Sequence, residues 1–285
     1  MHGVHRGRRI GAGLAVLAAS AAVAAAMFTG VADATSPATA HAAAASVVPV
    51  GDSGRWSLIF DDEFDATSLD TNHWSTGWFG SGITQPVNPG ELECYDPSQV
   101  SEGGGELALS LIAKPEACGG VTRPYASGIV TTDGKFSFTY GYVEARVWLA
   151  GDASISDWPA VWADGQTWPQ DGELDVLEGL GGSACWHFHD TRGGPGGCAG
   201  GLFTGGWHTF GADWEPGSVT YYYDGRRVGR IANGITGSPM YLILNLAASG
   251  PENALAQAPA SLQVDYVRVW RRDRERAHVS SSASR

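Results

Sequence analysis

The stretch Asp171-Gly-Glu173-Leu-Asp175-Val-Leu-Glu178-Gly179 limits the possible structures of this chain more than any other. Acid and apolar residues alternate from Glu173 to Val176, and then Leu177 adds one apolar residue before the third acid. In a regular strand Glu173 and Asp175 share a face, whereas Glu178, five residues beyond Glu173, points the other way. A bulge at Val176-Leu177 sets two residues against one on the neighbouring strand and returns Glu178 to the face of the other acids. A helix serves worse, because at about 100° per residue Glu173 falls more than a right angle from both. The spacing therefore predicts a bulged strand with three carboxylates on one surface.

Three clustered acids repel one another, so the arrangement needs a compensating use. Two carboxyl groups about 5 Å apart suit a retaining glycosidase, with a nucleophile on one side of the glycosidic bond and a proton donor on the other. A third acid between them can share a proton and push the two working pKa values apart. A solvated face of an edge strand is the plainer reading of a charge run, and the spacing alone leaves both open.

The remaining pattern is β throughout. Runs of period two or of β-rich composition cover Glu106–Ile112, Phe136–Tyr140, Tyr142–Trp148, Val219–Tyr223, Met240–Leu246 and Leu262–Trp270, with a hairpin turn expected at Asp224-Gly225. Forty glycines without a fixed period exclude collagen and favour turn-rich β structure. Nothing after residue 45 carries a long helical stripe, so the expected fold is all-β, two antiparallel sheets packed face to face. A formal charge of −12, with 18 basic residues, excludes nucleic acid and anionic membrane surfaces as natural partners and leaves a neutral polymer open. Eleven tryptophans suit a large sandwich core, and aromatic faces also stack on sugar rings.

Residues 1–45 read as an export signal and linker: a basic start at His5-Arg-Gly-Arg-Arg9, an alanine-rich apolar core, and small-residue cleavage sites after Ala34 or Ala42. A retained anchor competes with this reading, because Ile10–Ala32 is nearly long enough to span a bilayer. Residues 46–272 form the expected catalytic domain and 273–285 a frayed tail, and the mature protein is expected outside the cell, without stable membrane association. Four cysteines in an exported chain suggest two disulfides with three possible connectivities. The shorter loops favour Cys94 with Cys118 and Cys185 with Cys198, and no Cys-x-x-Cys spacing supports a metal cluster.

Upstream of the acids lies Asp157-Trp-Pro-Ala-Val-Trp162, and this run with Glu-Leu-Asp-Val-Leu-Glu resembles glycoside hydrolase family 16 in its bulged, laminarinase-like branch. Further matches keep the family's order over about 55 to 270: Phe60-Asp-Asp-Glu-Phe64, Glu91-Leu-Glu-Cys-Tyr95, Tyr140-Gly-Tyr-Val-Glu-Ala-Arg146, Tyr241-Leu-Ile-Leu-Asn-Leu246 and Val264-Asp-Tyr-Val-Arg-Val269. The resemblance implies a jelly-roll sandwich with a cleft across its concave sheet. It implies Glu173 as nucleophile, Asp175 as its helper and Glu178 as general acid/base. It places Trp158 and Trp162 near the cleaved sugar, and His187 or His189, which share a strand face, near the cleft. Glu91, Tyr95 and Asn245 match cleft-facing positions. A zinc site at the paired histidines is disfavoured, since two histidines without further ligands are weak evidence.

The resemblance also implies a structural calcium ion held by the Glu63 carbonyl, a glycine near Gly105, and Asp265, with no cofactor required for catalysis. Asp265 would otherwise cap a turn or pair with Arg268, and Glu144 with Arg146 reads as an ion pair. The implied activity is that of a monomeric, secreted, endo-acting β-glycan hydrolase, with β-1,3-glucan or mixed-linkage β-1,3-1,4-glucan as the expected substrate. A sugar-binding lectin on the same sandwich, a transglycosylase, and a hydrolase of galactan or agar are the alternatives. Residues 179–206, with two cysteines and paired histidines, depart from the usual laminarinase pattern and would suit a cleft wall built for another polymer.

Overall fold

Alternation in the sequence becomes alternation in burial. Leu107, Leu109 and Leu111 are fully buried between half-exposed neighbours, as a strand with one face on the core requires. The computed structural model describes residues 47–151, 154–248 and 256–273. The expected export signal and linker at 1–45, and the expected tail beyond Asp273, lie outside the described residues.

A seven-stranded antiparallel sheet carries the acids. In chain order its strands are β1 (Ser75–Thr76), β2 (Ile129–Thr131), β3 (Trp158–Gly165), β4 (Glu173–Leu180), β5 (Ser183–His189), β6 (Gly196–Cys198) and β7 (Met240–Ala247). Across the sheet they run β6-β5-β4-β3-β7-β2-β1. A ten-stranded sheet packs behind it, built around the long strand Ala260–Arg272, which pairs with Gly141–Trp148 on one side and with Trp56–Asp62 and Leu107–Ile112 on the other. One pair in that sheet, Glu93–Tyr95 with Tyr125–Ser127, is parallel. The core between the sheets takes Val143, Ala145, Val147, Val267 and Val269 from one side and Val161, Leu174, Val176, Leu177, Leu242 and Leu244 from the other. Each such side chain contributes roughly 1.5–3 kcal/mol of burial. This is the jelly-roll sandwich expected from the sequence.

Asp224 and Gly225 have φ of 47° and 72°, which makes the predicted turn the primed type that suits the twist of a two-residue hairpin. Both disulfides join the cysteines nearest in sequence, Cys94 with Cys118 and Cys185 with Cys198. One expected strand does not form: Phe136–Tyr140 makes a single bridge from Phe138 to Met240. Its aromatic rings are used in packing instead, with Phe136 stacked on Phe60 at 4.4 Å and Phe138 edge-on to Trp214, and Tyr140 turns the chain at φ 60°. Among the described residues no helix is long and apolar enough to cross a membrane.

Candidate active site

The kink in β4 lies where the sequence requires it. Against β3, Val161 pairs with Leu177 and Trp162 with Asp175, leaving Val176 as the extra residue. Against β5, Asp175 pairs with His187 and Glu178 with Cys185, so Val176 and Leu177 together face one residue, Trp186. Leu174, Val176 and Leu177 are all fully buried in the core, and Glu173, Asp175 and Glu178 all line the opposite, open face. The strand inserts a residue because its apolar side needs both Val176 and Leu177, and the acids are brought into line as a result.

That face is the floor of a cleft of about 700 Å³. Rows across the sheet follow from register: His189, Glu173 and Asp164 in one, His187, Asp175, Trp162 and Ile243 in the next, Glu178, Ala160 and Asn245 in a third. Indoles hold both outer acids: Trp158 Nε1 donates to Glu178 Oε1 at 3.3 Å, and the Trp168 side chain hydrogen-bonds Glu173. His187 Nδ1 lies 2.6 Å from Glu178 Oε2, and a contact of that length needs a proton between nitrogen and oxygen. His189 Nε2 stands 3.3 Å from Asp175 Oδ2.

Electrostatics separates the acids. Burial pushes the Asp175 carboxyl well above the usual carboxylate range, and the negative charges of Glu178 and Glu173 add to the effect. Burial also raises Glu173, but the nearby His189 and hydrogen bonds from Trp168 and Asp175 oppose the rise. Asp175 is thus the member that keeps a proton, and it presents that proton to Glu173. At the cleft wall Asp164 is pushed up to about 7, chiefly by burial and then by Glu173.

The other expected site residues divide. Trp158, Trp162, His187, His189, Glu91 and Asn245 all line the cleft. Tyr95 does not: it is fully buried, and its hydroxyl receives Asn245 Nδ2 at 2.8 Å while Asn245 Oδ1 accepts Trp162 Nε1 at 2.7 Å. It supports the floor from behind. Glu91 accepts from the Asn88 side chain at 2.8 Å and folds back on its own loop. Trp186 and Phe188, on the other face of β5, pack inward, Trp186 stacking on Tyr221 at 4.7 Å.

On the outer face of the ten-stranded sheet the expected pairings change. Glu144 does not pair with Arg146; it accepts from Tyr266 Oη and the Val50 amide, each at 2.8 Å. Arg146 instead takes Asp265 at 2.7 Å, and Arg268 takes Glu63 at 2.6 Å. Asp265 is the extra residue of a second bulge, between Arg146↔Tyr266 and Val147↔Val264, and this turns it toward Arg146. Of the ligands expected around calcium, Asp265 is the one side chain and it is paired with Arg146, while Arg268 engages the Glu63 carboxylate and not the backbone carbonyl expected to bind.

Sequence reasoning missed two aromatic rims. Trp168 is 57% exposed and Phe79 63% exposed, and both line the cleft. Trp168 lies in the connection between the two strands that bear the motifs, where an exposed indole next to clustered acids was a usable signal. Phe79 follows Trp78, which packs on Trp162 at 5.6 Å, and only the fold brings that loop over the sheet.

The comparisons with known proteins agree with this geometry. The model described as glycosyl hydrolases family 16 matches residues 95–268, and that of the beta-glucan synthesis-associated protein SKN1/KRE6/Sbg1 matches 11–171. A beta-glucanase of Rhodothermus marinus is 30% identical, over 76% of this chain and 86% of that protein. A glucan endo-1,3-beta-glucosidase A1 of Niallia circulans is also 30% identical over 75% of this chain, but the chain spans only 38% of its length. Among solved structures, the endo-beta-1,3-glucanase of Pyrococcus furiosus has a TM-score of 0.68 at 27% identity, covering 79% of this chain and 99% of that one. A carboxylate-lined cleft across a bulged strand, the match to the family model over more than half of the residues, and a 30% identical relative covered along 86% of its length lead to one assignment: the chain belongs to glycoside hydrolase family 16.

Proposed function

We propose that this chain is a secreted, endo-acting glycosidase that cleaves β-glucan with retention of anomeric configuration. The observation that carries the reading is the alignment of Glu173, Asp175 and Glu178 on one cleft face across the Val176-Leu177 bulge. Glu173 attacks the anomeric carbon while Glu178, tied to Trp158 and His187, gives its proton to the leaving oxygen. Water, activated by Glu178 as base, then releases the sugar from Glu173. Asp175 keeps its proton on the Glu173 side of the cluster, and that hydrogen bond steadies Glu173 as its charge is consumed and restored.

Exposed aromatic rims suit a polymer lying along the cleft. The names of the relatives favour β-1,3- and β-1,3-1,4-linked glucan. A keratan-sulfate endo-1,4-beta-galactosidase of Sphingobacterium multivorum is 29% identical, so galactose polymers belong in the same assay. Laminarin, mixed-linkage glucan, agarose, galactan and keratan sulfate are incubated with the protein, new reducing ends are counted, and the first product's anomer is read by NMR. Internal cleavage of a glucan giving the β-anomer is expected. A protein that binds these polymers and releases no reducing ends is a lectin, and the reading fails.

A further inference from the structure

Four side chains of the cleft offer metal-ligating atoms that all lie within 4.8 Å of one another: Asp175, Glu178, His187 and His189. One pair already has the spacing of two ligands on one ion, and another is a direct hydrogen bond that coordination would open. His187 Nδ1 to Glu178 Oε2 is 2.6 Å, and His189 Nε2 to Asp175 Oδ2 is 3.3 Å. Ligands around a tetrahedral zinc at 2.0–2.1 Å stand roughly 3.4 Å apart, so the His187–Glu178 pair has to open and the wider pairs to close by about an ångström to complete the shell.

The pairing of these groups leaves one of them unspent. Asp175 is 2% exposed, and its Oδ2 has no hydrogen-bond partner although it faces His189. A buried carboxylate oxygen without a donor is costly unless something charged or polar comes to it.

The rings are also held for ligation. A Cβ on Gly194 would stand 2.1 Å from His189 Nδ1, and one on Gly196 would stand 2.0 Å from His187 Cδ2. The glycine segment therefore presses on one edge of each imidazole and leaves His189 Nε2 and His187 Nδ1 directed at the carboxylates. The Cys185–Cys198 disulfide fixes that segment to β5, opposite Glu178 in the register. Both histidines keep access from the cleft, with side chains 20% and 33% exposed.

From this we infer that Asp175, Glu178, His187 and His189 form a binding site for a divalent late transition ion of the zinc type, and that the ion and the polysaccharide exclude each other from the cleft. Two imidazole nitrogens and two carboxylates suit zinc or copper, while calcium and magnesium prefer oxygen-only shells with more ligands. An ion there displaces to solvent the proton that Asp175 keeps and the one between His187 and Glu178, takes the Glu178 oxygen and so removes the proton donor, and zinc acts as a reversible off-switch. The inhibitory half rests on the proposed role of Glu178; the binding half does not.

Untagged protein is stripped with EDTA, desalted and titrated calorimetrically with zinc chloride, with magnesium and calcium chloride in parallel. One zinc per chain is expected, with an affinity on the order of micromolar or tighter, and no comparable binding of the other two ions. The His187→Ala/His189→Ala double variant is expected to bind at least about tenfold more weakly. Undiminished zinc binding in a folded double variant places the ion elsewhere, for example at His73 or His208, and overturns the assignment. If that variant does not fold, cobalt is loaded into the wild type: an intense visible spectrum of tetrahedral type supports the site, and a weak octahedral one overturns it. Stoichiometric zinc in a protein without activity on any polymer would keep the site and defeat the glycosidase reading. An active enzyme that neither binds zinc nor slows at millimolar zinc defeats the site alone.

Discussion

The two sheets treat their acids in different ways. On the outer face of the ten-stranded sheet, carboxylates meet guanidinium groups: Asp265 with Arg146, Glu63 with Arg268, Asp52 and Asp213 with Arg272. In the cleft of the seven-stranded sheet none of the described lining residues is Lys or Arg, and acids meet histidines, indoles and one another. The first arrangement lowers electrostatic cost wherever burial allows. Even there burial can prevail, since Asp213 is pushed up to about 6 with Arg272 at 2.5 Å. The second leaves the cost in place and keeps protons available for transfer. A cationic partner would hold all three cleft acids ionised and remove the proton donor.

Breaking the cleft side should give the largest effect. Glu173→Gln is expected to lower turnover at least about a thousandfold, with a thermal midpoint no lower than wild type because one repelling acid is gone. Lost activity accompanied by a collapsed midpoint would mean that the cleft acids, like those outside, serve the fold.

Glu144 tests the intermediate case, an outer acid that contacts Tyr266 and a backbone amide but no arginine. Burial raises its pKa from 4.5 to about 7. The folded state therefore prefers the protonated form, so this group's favourable contribution is complete below pH 4.5 and is lost as pH rises through about 7. Stability of Glu144→Gln relative to wild type should rise across that window, by on the order of 3 kcal/mol, and then level off. Parallel urea-denaturation profiles for the two proteins from pH 4 to 8 would remove this account.

Trp168→Ala sharpens the cleft side. With an exposed indole on the rim that also donates to Glu173, the Michaelis constant for a long glucan is expected to rise about tenfold while short oligosaccharides respond less. Equal loss on both would reduce Trp168 to a holder of Glu173. Arg268→Met should give the smallest change: loss of the Glu63 pair costs about 1 kcal/mol or less in urea denaturation, and polysaccharide turnover stays at the wild-type rate.

How far the sequence led varies by residue. The Val176-Leu177 bulge was legible because side-chain alternation is a local property of the backbone, and one extra apolar residue between acids turns the third acid into the core unless the strand kinks there. Phe136–Tyr140 misled because alternating aromatics satisfy the same period, while Tyr140 at positive φ and the packing of Phe60 and Trp214 direct that segment otherwise. The partner of Asp265 was hidden for a different reason. The second bulge lies in Val264-Asp-Tyr-Val267, where alternation breaks but Tyr266 reads as inward or outward alike, and only pairing with Gly141–Trp148 reveals that Asp265 is the extra residue.

By itself, then, the chain determined the class of fold, the kinked acid strand and the turn at Asp224-Gly225, since all of these depend on neighbours within a few positions, whereas the short list of cleft residues came from the family resemblance. Tertiary structure alone decided that Tyr95 supports the floor from behind, that Trp168 and Phe79 form the rims, and that two histidines face two of the acids. Those facts depend on which strands become neighbours across tens of residues, and burial, the chief cause of the Asp175 shift, exists only once both sheets and the loops above them have closed.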